Sequence, residues 1–474
     1  MRLSRSAILF ASLALAACAS ARKPDLRLPA AYEAPKTAAV PADAAVLDRW
    51  WTVFGDAQLD GLIDTALKAN PDARSAAARL AEARATAQSG FTQFLPQGDA
   101  RGQAERTHTT QLSGTVINFP GFSSSGTSEQ DTANLNVSWE LDLFGRIFAV
   151  SRAARGDIAA ARFDYEASRA SLAAQVGDAY FQARGLAIQL ADAQATVRIE
   201  QELYTIADKR GRAGLAATSD ADRVAGDLAQ ARAQAQSLEA ELQAQRRTLL
   251  ILAGRPIEPT ANVDVPPNVG RIPPVPATIP SQLLERRPDV RRAQAQVQSA
   301  SGRLLFQDLA FFPTFNLTPG LGWTKVVQPG FRSTTDSWTI GGSFSQPVFS
   351  IPKLLADLKA QNARTEQAVI AYEKSVQTAF GEAESALVRL DAANRRVAVL
   401  TEGERRAARA YEAARKGYSL GLTDLQTALS AEQSWRATRT QLTTAQVQGL
   451  RQAVTAFKAL GGGWPAERYP IKAQ

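Results

Sequence analysis

From Ala133 to Leu143 the chain alternates strictly. Leu135, Val137, Trp139, Leu141 and Leu143 are apolar, and Asn134, Asn136, Ser138, Glu140 and Asp142 between them are polar. Period two over this span predicts a strand with one apolar face, near 133–143, long enough for a tilted membrane strand. The same rule predicts strands near 314–324 (Phe315, Leu317, Pro319, Leu321, Trp323) and near 337–349 (Trp338, Ile340, Gly342, Phe344). Alternation serves half of a soluble sandwich equally well, so by itself it leaves both readings open.

Elsewhere the pattern is helical. Lys353 to Trp464 contains none of the chain's 23 prolines and is rich in Ala, Gln, Glu, Arg and Leu, which favour helix. Its one strong interruption, Gly417 to Gly421 (GYSLG), predicts a turn between two long helices. One arm has about 60 residues, roughly 90 Å at 1.5 Å per residue. Gly121 to Arg255 is also free of proline, with Gly211 and Gly214 marking its turn. The halves share a register. Pro71 and Pro288, and Pro96 and Pro313, lie 217 residues apart; Tyr165 and Tyr372, and Gly214 and Gly421, lie 207 apart. The chain is therefore an internal duplication. The difference falls before Tyr165, in the Gly/Ser-rich stretch 114–128, because loops absorb insertions. The duplication also predicts a weakly patterned strand near 98–112.

At the N-terminus Arg2, Arg5, an apolar run and LAAC (Leu15 to Cys18) read as a secretory signal whose end resembles a lipobox. Cys18, the single cysteine, is then the acylated first residue of the mature chain, and no disulfide is available. The predicted organisation is a signal peptide (1–17), a lipidated tether (18–48) and a first repeat (49–254, hairpin turning near 211–220). A connector (255–280) with eight prolines follows, then a second repeat (281–464, turning near 417–424) and a tail (465–474).

Losing Arg2 and Arg5 lowers the net charge from +8 to +6, and the remaining charges alternate along the helices as on a solvated face. No later run of 18 apolar residues exists to make a transmembrane helix. GYSLG formally satisfies a nucleophile-elbow motif, but helix flanks it on both sides, and the one histidine, His108, lies upstream in a predicted loop. No Cys/His cluster suits zinc, and no glycine loop after a strand suits phosphate. The chain is predicted not to be an enzyme, with no cofactor beyond the lipid on Cys18, and with no nucleic-acid partner.

Four strands cannot close a barrel, since about eight are needed for the smallest filled one, and an open sheet would leave bare edges. Several copies each giving four strands to one barrel, continued by their helical hairpins, would make a tube.

Six segments in order resemble the outer-membrane efflux proteins of the TolC class, most closely their lipidated NodT/OprM-like branch. They are LAAC, WWTVFGDAQLDGL (Trp50 to Leu62), SWELDLFGR (Ser138 to Arg146), IPSQLLERRPDV (Ile279 to Val290), FFPTFNL (Phe311 to Leu317) and ALGGGW (Ala459 to Trp464). The resemblance implies a mainly α chain with membrane β. Its homotrimer would form a 12-stranded outer-membrane β-barrel continued by a 12-helix periplasmic α-barrel. It further implies a passive duct for drugs or other small molecules, served by a periplasmic adaptor and an inner-membrane pump of the RND type. A duct of a type I secretion system, or a non-conducting lipoprotein spacer or adaptor, is the alternative. Trp323 and Trp338 are expected in an aromatic belt, towards the loop ends of their strands. A gate is expected where the hairpins turn, with Tyr418 bonded to Asp220. Family members often carry an arginine and two aspartates after the second turn. Here Thr423, Thr427 and Ser430 stand in those places, with Asp424 beside the turn. The constriction is therefore expected to be a weak cation filter.

Overall fold

The computed structural model describes residues 24–33, 44–110, 112–113, 125–214, 217–276 and 280–466; Cys18 and the signal segment lie outside them. The described residues fall into two compact units. One consists of 81–160 and 294–371, the other of 25–80, 161–293 and 372–466. In chain order the elements are α1 (Ala44–Asp48), α2 (Ala57–Ala69), α3 (Pro71–Thr92), β1 (Gln97–Thr109), β2 (Gly126–Leu141), α4 (Arg146–Arg212) and α5 (Thr218–Leu252). They continue with α6 (Leu283–Arg286), α7 (Pro288–Leu309), β3 (Thr314–Gln328), β4 (Phe331–Ser345), α8 (Ile351–Ser419) and α9 (Leu425–Ala459).

In the first unit the strands form one antiparallel sheet in the order β1-β2-β3-β4. The SWELDLFGR segment turns strand into helix. Trp139 Nε1 donates to the Phe94 carbonyl at 3.0 Å, and the Asp142 carboxylate accepts from the backbone N–H groups of Arg146 (2.7 Å) and Ile147 (2.8 Å), capping α4. Arg146 then pairs with Glu140 at 2.9 Å and lies 4.9 Å from the centre of the Phe306 ring. The strand ends here because Asp142 is committed to the helix. Further along, α4 and α7 approach backbone to backbone. A Cβ at Gly156 would lie 2.5 Å from the Ser299 nitrogen, and Asp157 accepts from Ser299 Oγ at 2.6 Å and pairs with Arg303 at 2.8 Å.

The second unit is knitted by the remaining motifs. Trp50 is fully buried and stacks on Phe457 with centroids 5.8 Å apart. Gly55, in the left-handed region at φ 62°, lets the chain turn so that Asp56 caps α2. The other Asp56 oxygen accepts from the Tyr180 hydroxyl at 2.8 Å and pairs with Arg184. Arg287 bridges Asp289 (2.6 Å) and Glu382 (2.7 Å), and Trp464 Nε1 donates to the Arg286 carbonyl at 2.8 Å.

The duplication is visible atom by atom. Gly254 (φ 73°) closes the first hairpin against the carbonyl of Ala69, and Gly461 (φ 79°) closes the second against that of Arg286; in both a Cβ would lie 2.7 Å from the carbonyl carbon.

Several boundaries differ from those read in the sequence. Ordered structure begins before Arg49: Ala44–Asp48 is helical, with Leu47 buried and its carbonyl accepting from Gly463 N at 2.9 Å. Within the tether, residues 24–33 run beside α8, where Asp25 N donates to Glu373 at 2.8 Å and Tyr32 stacks on Phe380 at 5.8 Å. β2 starts at Gly126 rather than 133, and β3 continues to Gln328. β4 begins at Phe331 and stops at Ser345, because Gln346 turns its side chain to the Phe311 carbonyl (3.1 Å). Gly417, Tyr418 and Ser419 belong to α8, so the turn is confined to 420–424. His108 lies in β1 rather than in a loop, with Nδ1 3.0 Å from Thr127 Oγ1.

Candidate functional site

Two places in the fold carry chemistry that a packed interior does not need. The first is the sheet, whose register puts like beside like. One face carries the rows Ala100–Leu135–Leu321–Trp338, Trp139–Leu317–Gly342 and Leu141–Phe315–Phe344. The other carries Asp99–Asn136–Gly320–Thr339, Arg101–Asn134–Gly322–Ser337 and Gln103–Thr132–Thr324–Thr335. Among the described residues the apolar face is left open: Trp338 is 75% exposed and Ile340 72%. The band has an edge. Trp323 pairs with Ala133 and Asp336, and the next row brings Lys325 within 3.3 Å of Asp131. From Phe315 to Trp323 the apolar stretch measures about 26 Å along the strand at roughly 3.3 Å per residue, or about 20 Å of height at the roughly 40° tilt of barrel strands, most of the apolar band of about 25 Å on outer-membrane barrels. Trp323 therefore stands on the last apolar row. Trp338 stands one row further in, at the centre of β4 rather than towards its loop end.

The second place is where the hairpins of the second unit turn. Leu203 and Ala207 of α4, Val224 of α5, Tyr418 of α8 and Leu425, Ala428 and Leu429 of α9 form one buried cluster, with Ile199, Tyr204 and Ala221 against it. The helices converge there because each presents small or aliphatic residues three or four apart. Arg210 lies over the Tyr418 ring, 5.3 Å from its centre. Asp220 occupies the first turn of α5, half-buried and next to Ala221. The structure brings Tyr418 to the helix that bears Asp220, but no hydrogen bond joins the two side chains among the described residues. The ring faces an apolar cluster and a guanidinium instead.

Asp424 is used locally. Its carboxylate accepts from Thr427 N at 2.7 Å, capping α9, and its bonds to Thr427 hold it below the usual carboxylate range. Thr427 and Ser430 are both exposed, one helical turn apart. Higher on the same helices Tyr411 stacks on Trp435 (5.1 Å, 5°), whose Nε1 donates to Glu404 at 2.9 Å. Arg439 pairs with Asp192 at 2.7 Å, tying α9 to α4. Among the described residues no group of three His, Cys, Asp or Glu side chains could hold a metal ion, and no helix is long and apolar enough to cross a membrane.

Comparison with known proteins bears on both places. The family described as "Outer membrane efflux protein" matches residues 62–255 and 279–462, one span in each repeat. The chain is 28% identical over 476 residues to the pyoverdine export outer membrane protein OpmQ of Pseudomonas aeruginosa, covering 99% of this chain and 98% of that one. It is also 28% identical over 462 residues to the cation efflux system protein CusC of Escherichia coli, covering 96% and 97%. Among solved structures, the outer-membrane channel OprN superposes with a TM-score of 0.77 at 28% identity, over 94% of this chain and all of that one.

Proposed function

The chain belongs to the outer membrane efflux protein family and is the outer-membrane duct of a tripartite efflux system; from that premise we propose that it works as a homotrimer, anchored through lipid on Cys18. Each copy gives four strands to a 12-stranded barrel and its two hairpins to a 12-helix periplasmic tunnel. A periplasmic adaptor and an inner-membrane pump of the RND type deliver the cargo. The observation that carries this reading is the two-faced sheet. An apolar face that fills most of the lipid-facing band of a barrel, backed by a face of Asn, Ser, Thr and Gly, suits a wall with lipid outside and water inside. The bare edges of β1 and β4 are joined by the neighbouring copies.

Cargo is drugs or other small molecules, and the duct does not choose among them. Two relatives equally similar to this chain are named for different cargoes, pyoverdine in one and cations in the other. Selection then lies with the pump.

The end where the hairpins turn is the gate, closed at rest by the cluster around Tyr418. Threonine and serine line its constriction, and the remaining carboxylate, Asp424, is spent on capping α9. Three converging carboxylates would bind a multivalent cation; hydroxyls do not. In planar bilayers the purified trimer is expected to show discrete single-channel openings, with little block by hexaamminecobalt(III) from the periplasmic side. Strong block that disappears in Asp424→Asn would put that carboxylate in the lumen, and a protein that never conducts would remove the duct reading.

Trp323 belongs to the interfacial belt and Trp338 to the hydrocarbon beneath it. Lipids brominated at different depths should quench the two differently: Trp323 most from shallow positions, Trp338 most from deep ones. Equal quenching at all depths, with the trimer intact, would mean that the apolar face does not meet lipid.

A further inference from the structure

One helical turn from the Tyr418 cluster, two carboxyl groups are buried against each other. Glu200, on α4 one turn before Leu203, is 1% exposed; Glu432, on α9 one turn after Leu429, is 0% exposed. The two are close enough for one carboxyl to hydrogen-bond the other. Counted as two carboxylates, they leave Glu200 Oε2 and both Glu432 oxygens buried without a donor. A buried acceptor without a partner is costly, and a buried charge without one more so.

The surroundings do not supply what is missing. From α9, Arg436 stands 3.5 Å from Glu432 Oε1, too far for a good hydrogen bond, and its Nε is also buried without an acceptor. From α5, Asp227 adds another negative charge. From α8 comes the Tyr411 hydroxyl, buried without a partner, with Arg415 and the α4 residue Glu202 acting on that same phenol. One guanidinium thus faces three carboxyl groups at the pair. A proton placed between Glu200 and Glu432 cancels one charge and turns two orphaned acceptors into one donor–acceptor bond.

We propose that Glu200 and Glu432 hold a single proton between them, and that this proton clamps α4 to α9 beside the hairpin turns, so that the clamp loosens as the periplasm becomes less acidic. Burial, then the neighbouring charge of Glu432, raises Glu200 from the ordinary 4.5 to about 7. Because the packed state holds its proton more tightly than the separated helices do, the clamp is at full strength below about pH 4.5. It weakens steadily as pH rises towards 7 and changes little above that.

The shared proton can be tested without any transport measurement, so its failure is separable from failure of the duct reading. Amide hydrogen exchange would be followed on the full-length trimer in lipid nanodiscs and corrected for the intrinsic pH dependence with an unfolded peptide reference. Between pH 5 and 7, exchange in 199–207 and 428–436 is expected to rise, approaching tenfold per pH unit, the factor for one proton released. Glu200→Gln supplies a permanent donor to Glu432, and its exchange should stay at the acid level throughout. Corrected exchange that is flat in the parent, or that rises equally in Glu200→Gln, would overturn the proposal. Infrared difference spectra give a second reading. A protonated carboxyl band present at pH 6, lost by pH 8.5 and missing in Glu200→Gln is expected; no such band at pH 6 would also overturn it.

Discussion

Gly461→Ala is expected to leave little assembled protein, whereas Gly421→Ala, at almost the same backbone angle, should melt within a few degrees of the parent. Both glycines sit in the left-handed region, at φ 79° and 73°. An L-residue there costs about 1–2 kcal/mol. At Gly421 that is the whole effect, since a Cβ would meet nothing within 4 Å. At Gly461 the Cβ would sit 2.7 Å from both the carbonyl carbon and oxygen of Arg286, at a joint that also carries the Trp464 hydrogen bond to that carbonyl. Backbone cannot rotate aside as a side chain can, so a further cost of about 1–3 kcal/mol for overpacking applies. The sum is a large part of the roughly 5–15 kcal/mol that holds a typical domain. Gly254→Ala, its counterpart against Ala69, should fail in the same way. The heat-resistant trimer fraction and its thermal midpoint measure both effects. If Gly461→Ala melted with Gly421→Ala, the close approach would not exist in solution.

Tyr418→Ala should open the proposed gate, raising single-channel conductance or open time, while Tyr418→Phe and Asp220→Ala should leave both nearly unchanged. Tyr418 is 6% exposed and packs with Leu425, Leu429 and Val224 under the Arg210 guanidinium. Removing a buried aromatic ring costs about 3–5 kcal/mol, and in a trimer the loss occurs three times around one opening. The hydroxyl makes no bond to Asp220 within the chain, so its removal takes away little. The ordering of the variants decides between two gates. Opening by Tyr418→Phe would mean that the hydroxyl finds its partner only in the assembled trimer.

The hydrophobic pattern revealed this fold where side chains were large. Leu135, Val137 and Trp139 announce β2 without help. β1 does not announce itself, because its apolar face is built from Gly98, Ala100, Gly102 and Ala104, too small to read as alternation; only the repeat located it. β2 reaches back to Gly126 because pairing with β1 and β3 continues after the alternation stops: Thr127, Glu129 and Asp131 are polar on what lower down is the apolar face. Gly417 looked like the start of a turn, but nothing in helical backbone forbids glycine, and α8 runs on to Ser419. The acid pair was hidden for a different reason. Glu200 and Glu432 occur among alternating charges that read as a solvated surface, and their burial depends on which helices meet, which is a tertiary fact. The Tyr418–Asp220 bond is expected from resemblance alone; within one copy the ring lies in an apolar cluster beneath Arg210, and no hydrogen bond joins the two side chains among the described residues.

The two-faced sheet also determines what kind of folding problem this chain has. A single copy has a broad apolar sheet face and two sheet edges, β1 and β4, and among the described residues nothing covers either. In the proposed trimer those edges close only when copies meet, so late folding on that reading is a collision between copies at a lipid surface. Its rate should therefore depend on how many chains are present at once. Before that meeting, the same alternation that builds the wall makes each strand a template for the wrong neighbour.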